Sequence, residues 1–160
     1  MLFRSQHAHD QLVAELWAAR TPDAGLKSID EMVIMASIID SETKNPKEQF
    51  NVASVLANRI KHGMGLQSDP TVIYGIGDRF DGNLRRDDLT TDTPWNTYVR
   101  RGLPPTPIAL PGRQALLATA RPAASQALYF VAKGDGSSAF SDNLTDHNRA
   151  VNQYQRGGSR

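Results

Sequence analysis

From Met32 to Ile39 the chain reads Met-Val-Ile-Met-Ala-Ser-Ile-Ile, a run that is apolar on nearly every side when wound at helical spacing. A helix of this kind is stable only when other elements pack all round it, so the chain must build several elements about a central one. The run is far too short to cross a bilayer, and nothing at the start of the chain resembles a signal peptide. Ser28, with Glu31 three residues later, predicts the helix start, and the helix is expected to end near Thr43.

At the end of this helix the chemistry changes abruptly, to Asp40-Ser41-Glu42-Thr43. Acidic groups at the edge of an apolar core can be held protonated by low dielectric, which is what acid/base chemistry needs. Two positions along a helix turn roughly 200°, so Asp40 and Glu42 cannot face the same way. They flank the stripe Met32, Met35, Ala36, Ile39 on opposite sides, and periodicity alone leaves open which one faces a cleft and which is solvated.

The flanking segments supply the packing partners. Leu12, Val13, Leu16 and Trp17 recur at helical spacing within Ser5 to Arg20. Asn45-Pro46-Lys47-Glu48 predicts a helix start, with Asn45 as N-cap, Pro46 in the first turn and Glu48 returning a capping-box bond. That helix should run to Lys61, stop at Gly63, and bury Val52, Val55, Leu56 and Ile60. A further helix is expected from Pro111 to about Ala120. Leu128 to Ala132 and Ser137 to Ser141 read as a hairpin joined by Lys133-Gly134-Asp135-Gly136, and a last helix begins near Thr145 before a fraying Gly-Gly-Ser-Arg tail.

Between Gly63 and Pro111 the sequence is rich in Gly, Pro, Asn, Asp and Thr yet keeps Tyr74, Phe80, Trp95 and Tyr98. Disorder disfavours aromatics, so this region is expected to form ordered, cleft-lining loops with short strands. The fold class is therefore α+β: several helices packed with a small antiparallel hairpin, and long ordered loops.

Composition excludes several functions. Eighteen basic against seventeen acidic residues give a net charge of +1, with no broad footprint for nucleic acid or an anionic membrane. The chain contains no cysteine, so disulfides, thiol nucleophiles and thiolate metal sites are absent. His7, His9, His62 and His147 show no metal-ligand spacing and read as surface or structural residues, so neither a metal nor a cofactor is expected. Gly75-Ile76-Gly77 lacks the third glycine and the βαβ context of a dinucleotide loop. Ser41-Glu42-Thr43-Lys44 and Ser141-Asp142-Asn143 imitate two motifs of penicillin-recognising serine enzymes. The third motif is missing, however, and the first closes a helix instead of opening one.

Met35 to Thr43, Val52 to Met64, Leu66 to Gly82, Thr93 to Tyr98, Gly102 to Gly112, Leu128 to Gly136 and Asp146 to Val151 resemble, in order and spacing, the catalytic domain of the YceG-like endolytic murein transglycosylases. Leu66-Gln67-Ser68-Asp69-Pro70-Thr71-Val72-Ile73-Tyr74-Gly75 is the most specific string. The resemblance implies a peptidoglycan-cleaving enzyme and places the catalytic glutamate at Glu42. Asp40 stands where the family usually has a first glutamate, and Ser41 where a lysine is common. Gln67, Thr71, Asn96 and Tyr98 are implied as contacts to acetamido and hydroxyl groups, with Tyr74 as a stacking or hydrogen-bonding partner for a sugar ring; for Tyr74 and Tyr98 aromatic packing beneath the loops stays open as the alternative.

Asp69 remains open between a turn acceptor before Pro70 and a holder of water, the latter giving a hydrolase. A wall-binding module without turnover is the other alternative. In the family an N-terminal helix anchors the protein in the inner membrane and a LysM-like domain precedes the catalytic part. Neither is found here, so residues 1–160 read as the catalytic domain alone, compact over about 5–155, soluble and without membrane contact of its own. Peptidoglycan strands, and through the full-length protein cell-wall synthesis proteins, are the implied partners, on the periplasmic face of the membrane.

Overall fold

The computed structural model describes residues 2–157; the expected fraying of the Gly-Gly-Ser-Arg tail falls largely on 158–160, outside the described residues. Among the described residues seven α-helices and one hairpin make an α+β fold. They are α1 (Leu2–Ala18), α2 (Ile29–Glu42), α3 (Pro46–Lys61), α4 (Asp69–Ile76), α5 (Arg86–Thr90), α6 (Arg113–Ala120), β1 (Tyr129–Ala132), β2 (Ser138–Ser141) and α7 (Leu144–Val151). A π-helical turn, Asn152–Arg156, extends α7.

The all-round apolar run sits where its composition requires. Met32, Met35, Ala36, Ile38 and Ile39 are 0–1% exposed, enclosed by Val13 of α1, Val52 and Leu56 of α3, and Ala115, Leu116 and Ala118 of α6. The alanines of α6 let its backbone come close to α2, since side-chain size at the contact sets helix separation. Each large aliphatic side chain buried here contributes roughly 1.5–3 kcal/mol. Ser37 is the polar exception inside the run. Its hydroxyl donates to the Ile34 carbonyl and accepts from the Ile108 amide at 3.0 Å, which pins the proline-rich segment against α2.

The Ser28 hydroxyl caps α2 through the Glu31 amide, while the Glu31 carboxylate takes the Lys27 amide. Asn45 caps α3 through the Lys47 amide, but Glu48 corrects the expected capping box. Its carboxylate reaches across to the Ser138 amide at 3.0 Å, fastening β2 to the first turn of α3. The hairpin pairs Tyr129 with Ser141 and Ala132 with Ser138, antiparallel.

The segment after Gly63 also differs from expectation: α4 and α5 stand where loops with short strands were predicted, and no strand occurs there. Ser68-Asp69-Pro70 is a helix start with proline in its first turn. No helix among the described residues is long and apolar enough to cross a membrane.

Candidate active site

Glu42 is the last residue of α2, and its Oε1 accepts a 2.6 Å hydrogen bond from the Ser68 hydroxyl. Ser68 occupies the N-cap position of α4 and is 1% exposed, yet its side chain makes no capping bond. The hydroxyl that would ordinarily stabilise α4 by about 1 kcal/mol is turned instead onto the glutamate. Burial raises the pKa of Glu42; the Ser68 hydrogen bond pulls it back, and the nearby Asp69 carboxylate pushes it up again. The net shift is upward, towards a protonated, neutral carboxyl.

Asp40 is settled by its neighbours. It pairs with Lys44 at 3.1 Å and accepts from Gln49 at 3.2 Å, on the opposite flank of α2 from Ser68. The Ser41 hydroxyl folds back onto the Ser37 carbonyl, and Asn143 caps α7 through the Asp146 amide, so neither decoy motif assembles a serine site.

Two adjoining cavities meet at Glu42 and Phe130. One, of about 250 Å³, is lined by Arg59, Gln67, Asp69, Tyr98 and His147 among others. The other, of about 350 Å³, runs beside Thr43, Ala132 and the hairpin turn to Ser138. Glu42 thus sits midway along a groove and not at a dead end, the form that suits an extended polymer. A larger cavity of about 630 Å³, between α3 and residues 122–126, has no carboxyl on its walls.

The structure brings three of the sequence-predicted residues to Glu42: Gln67, Asp69 and Tyr98. Gln67 has φ +51°, a left-handed conformation that costs a non-glycine residue about 1–2 kcal/mol, and its amide is tied to the Thr97 carbonyl. The Tyr98 hydroxyl donates to Asp69 Oδ1 at 2.6 Å. Burial, reinforced by Asp69, lifts the Tyr98 pKa well above its ordinary value, so the phenol keeps its proton and its donor role.

Thr71 and Asn96 are both 0% exposed and are not among the residues lining the two cavities at Glu42. Thr71 Oγ1 bonds the Ser68 carbonyl and Thr97 Oγ1. Asn96 Nδ2 donates to the carbonyls of Asp88, Leu89 and Thr91, and its Oδ1 accepts from the Tyr98 amide. They hold the walls in place, because buried backbone groups must be paired. Tyr74 is 43% exposed and packs edge-on against Trp95 at 5.4 Å, outside the Glu42 cavities.

Sequence reasoning gave no role to Ser68, Arg59 or His147. Ser68 lay inside the most specific string and was readable as a hydroxyl near the acid only with the fold in hand. His147 is not a plain surface residue: it stacks on Tyr129 at 5.0 Å and faces the cavity. Among the described residues no cluster of His, Cys, Asp or Glu has metal-binding geometry.

Residues 1–153 match the model of the YceG-like family. The chain belongs to the YceG-like family. It is 40% identical to an endolytic murein transglycosylase of Bacillus subtilis over 79% of this chain and 35% of that protein. It is 29% identical to an endolytic murein transglycosylase of Streptococcus pneumoniae over 79% of this chain and 24% of that protein. The crystal structure of a yceG-like protein from Listeria monocytogenes superposes with a TM-score of 0.70 at 38% identity, covering 76% of this chain and 40% of that one. The chain spans only about a third or less of the curated relatives it matches.

Proposed function

We propose that this YceG-like chain is the catalytic portion of a peptidoglycan lytic transglycosylase in which Glu42 acts first as acid and then as base. The observation that carries the proposal is the environment of Glu42: a largely buried carboxyl with a raised pKa, midway along a groove, with one oxygen already committed to Ser68. The relatives' names, endolytic murein transglycosylase, supply the substrate class.

The bond to be broken is the β-1,4 link from N-acetylmuramic acid to N-acetylglucosamine. Ser68 occupies Oε1, leaving Oε2 to carry the proton and deliver it to the leaving glycosidic oxygen. The Ser68 hydroxyl then stabilises the new carboxylate, offsetting its burial. The carboxylate takes the proton of the muramoyl 6-hydroxyl, whose oxygen attacks C1 and closes a 1,6-anhydro ring, while the 2-acetamido group supports the developing positive charge. Glu42 ends protonated as it began, and no water is consumed. General acid–base assistance of this kind contributes about 10²–10⁴-fold to a rate.

Gln67, Asp69 and Tyr98 contact the sugars. Asp69 is occupied by the Tyr98 hydroxyl at 2.6 Å, which fits a positioning role better than the activation of water that a hydrolase would require. The full-length protein acts outside the cytoplasm on murein strands, alongside the proteins that make them. Digestion of purified murein followed by mass spectrometry tests the reading: anhydromuramoyl ends are expected, and they should vanish in a folded Glu42→Gln variant. Reducing ends in their place would make the protein a hydrolase, and unchanged cleavage by the variant would remove Glu42 from the mechanism.

A further inference from the structure

The wall of the groove formed by α3, β1 and α7 carries a positive charge that the Glu42 chemistry does not use. Arg59 is 8% exposed, and no carboxylate lies within ion-pair distance of it among the described residues. Its Nε donates to the Leu128 carbonyl at 2.7 Å, and its Nη1 to the carbonyls of Gly65 at 2.9 Å and Leu66 at 3.4 Å. Neutral carbonyls orient the guanidinium without cancelling its charge. Nη2 has no hydrogen-bond partner among the described residues, and it is not sealed off from solvent either. Arg59 is among the residues lining the cavity beside Glu42.

His147 lies on the same wall. The Tyr129 ring stands 5.0 Å from its ring, nearly parallel at 22°, and the Arg59 guanidinium lies 5.1 Å from the centre of that same tyrosine. Tyr129 therefore fixes both groups. Nδ1 of His147 is buried without a partner. A buried N–H without an acceptor is the costlier orphan, so the favoured tautomer leaves Nδ1 bare and puts the hydrogen on Nε2, the ring nitrogen that is not among the buried unpaired atoms, on a residue that lines the cavity. Burial and the neighbouring guanidinium both hold the imidazole pKa below its usual value, so at neutral pH it is an uncharged donor.

We propose that Arg59 Nη2 and His147 Nε2–H form a carboxylate-binding subsite beside Glu42, which recognises an anionic group carried by the muramoyl unit of the strand. This rests on the transglycosylase reading and names what that site selects. A muramoyl unit offers such a carboxylate in two places: on the lactyl side chain where the stem peptide has been removed, and on the stem peptide itself. A guanidinium already oriented by three carbonyls meets a carboxylate with little further loss of freedom, and a charge-assisted bond in a partly dry cavity is among the stronger polar contacts.

The test measures binding to a Glu42→Gln background by calorimetry, using three probes of equal length: peptide-free murein strands, peptide-bearing murein strands, and chitin oligosaccharides, which have no carboxylate. At least one murein probe is expected to bind about tenfold or more tightly than chitin, and whichever murein probe leads identifies the source of the carboxylate. His147→Phe and Arg59→Gln should each erase most of that preference, while His147→Gln, which keeps a side-chain N–H donor, should retain much of it. Should Arg59→Gln fail to fold, the histidine pair decides the matter, with thermal melts confirming that both variants are native. Equal affinity for all three probes, or an unchanged preference in folded His147→Phe, overturns the subsite. Failure of the underlying reading looks different: the wild-type protein would then leave murein uncut, or Glu42→Gln would cut it equally well.

Discussion

Asn96→Asp separates a wall-holding residue from a ligand contact with almost no change of shape. The native amide shares two hydrogens among three carbonyls, of Asp88, Leu89 and Thr91, at 2.8–3.2 Å, and accepts one bond from the Tyr98 amide at 2.9 Å. The substitution replaces both donors with an oxygen aimed at those carbonyls, in a position that is 0% exposed. Losing two buried donors and confronting three acceptors costs about 3–5 kcal/mol, whether the new group stays ionised or takes up a proton. For a chain of this size each kcal/mol moves the melting temperature by about 2–4 °C, so a fall of roughly 6–20 °C is expected by circular dichroism. At a temperature where the variant is still folded, its KM for murein strands should match wild type. A melting temperature within about 2 °C of wild type, together with a raised KM, would refute the assignment and return Asn96 to the ligand contacts.

Glu42→Gln should flatten the pH dependence of stability. The wild-type folded state holds the Glu42 proton more tightly than the unfolded chain, whose reference pKa is 4.5, so stability falls as pH rises through the raised value. Urea midpoints measured across that range should decline for wild type and decline less for the variant; parallel curves would contradict the burial of the carboxyl. Ser68→Ala removes the bond that favours the carboxylate, so the alkaline limb of the murein-cleavage profile should move to higher pH, with little loss of melting temperature because Ser68 does not cap α4. A limb that moves to lower pH would reverse the assigned direction. Gln67→Gly relieves the φ of +51° but loosens the unfolded chain, so stability should hold or rise by up to about 1 kcal/mol while strand binding weakens. A drop of several degrees in the melting temperature would count against strain at that position.

Where the sequence carried strong local signals, the elements were readable from it. The caps at Ser28 and Asn45, the apolar run of α2 and the hairpin around Gly134 and Gly136 all lie where patterning put them. α4 escaped notice because Thr71, Val72, Ile73 and Gly75 are poor helix formers, and the element is held by long-range contacts such as the Ser68 amide to Thr97 Oγ1 at 3.0 Å. Periodicity could not choose between Asp40 and Glu42, since that choice belongs to Lys44 and Gln49 on one side and Ser68 on the other. Thr71 and Asn96 enter as ligand contacts through the family resemblance, and their residue types alone do not tell a side chain that meets a sugar from one that meets a buried carbonyl. Glu48 was assigned locally for a similar reason: its partner, Ser138, lies ninety residues away.

The groove is assembled from chain segments far apart in order: Glu42 first, then Gln67 and Asp69, then Phe130, and finally His147 on α7. A ribosome making this chain therefore releases the acid long before the last wall. A nascent or C-terminally shortened polypeptide carries Glu42 in an unfinished trough, whose far wall is lacking until residue 147 has been added.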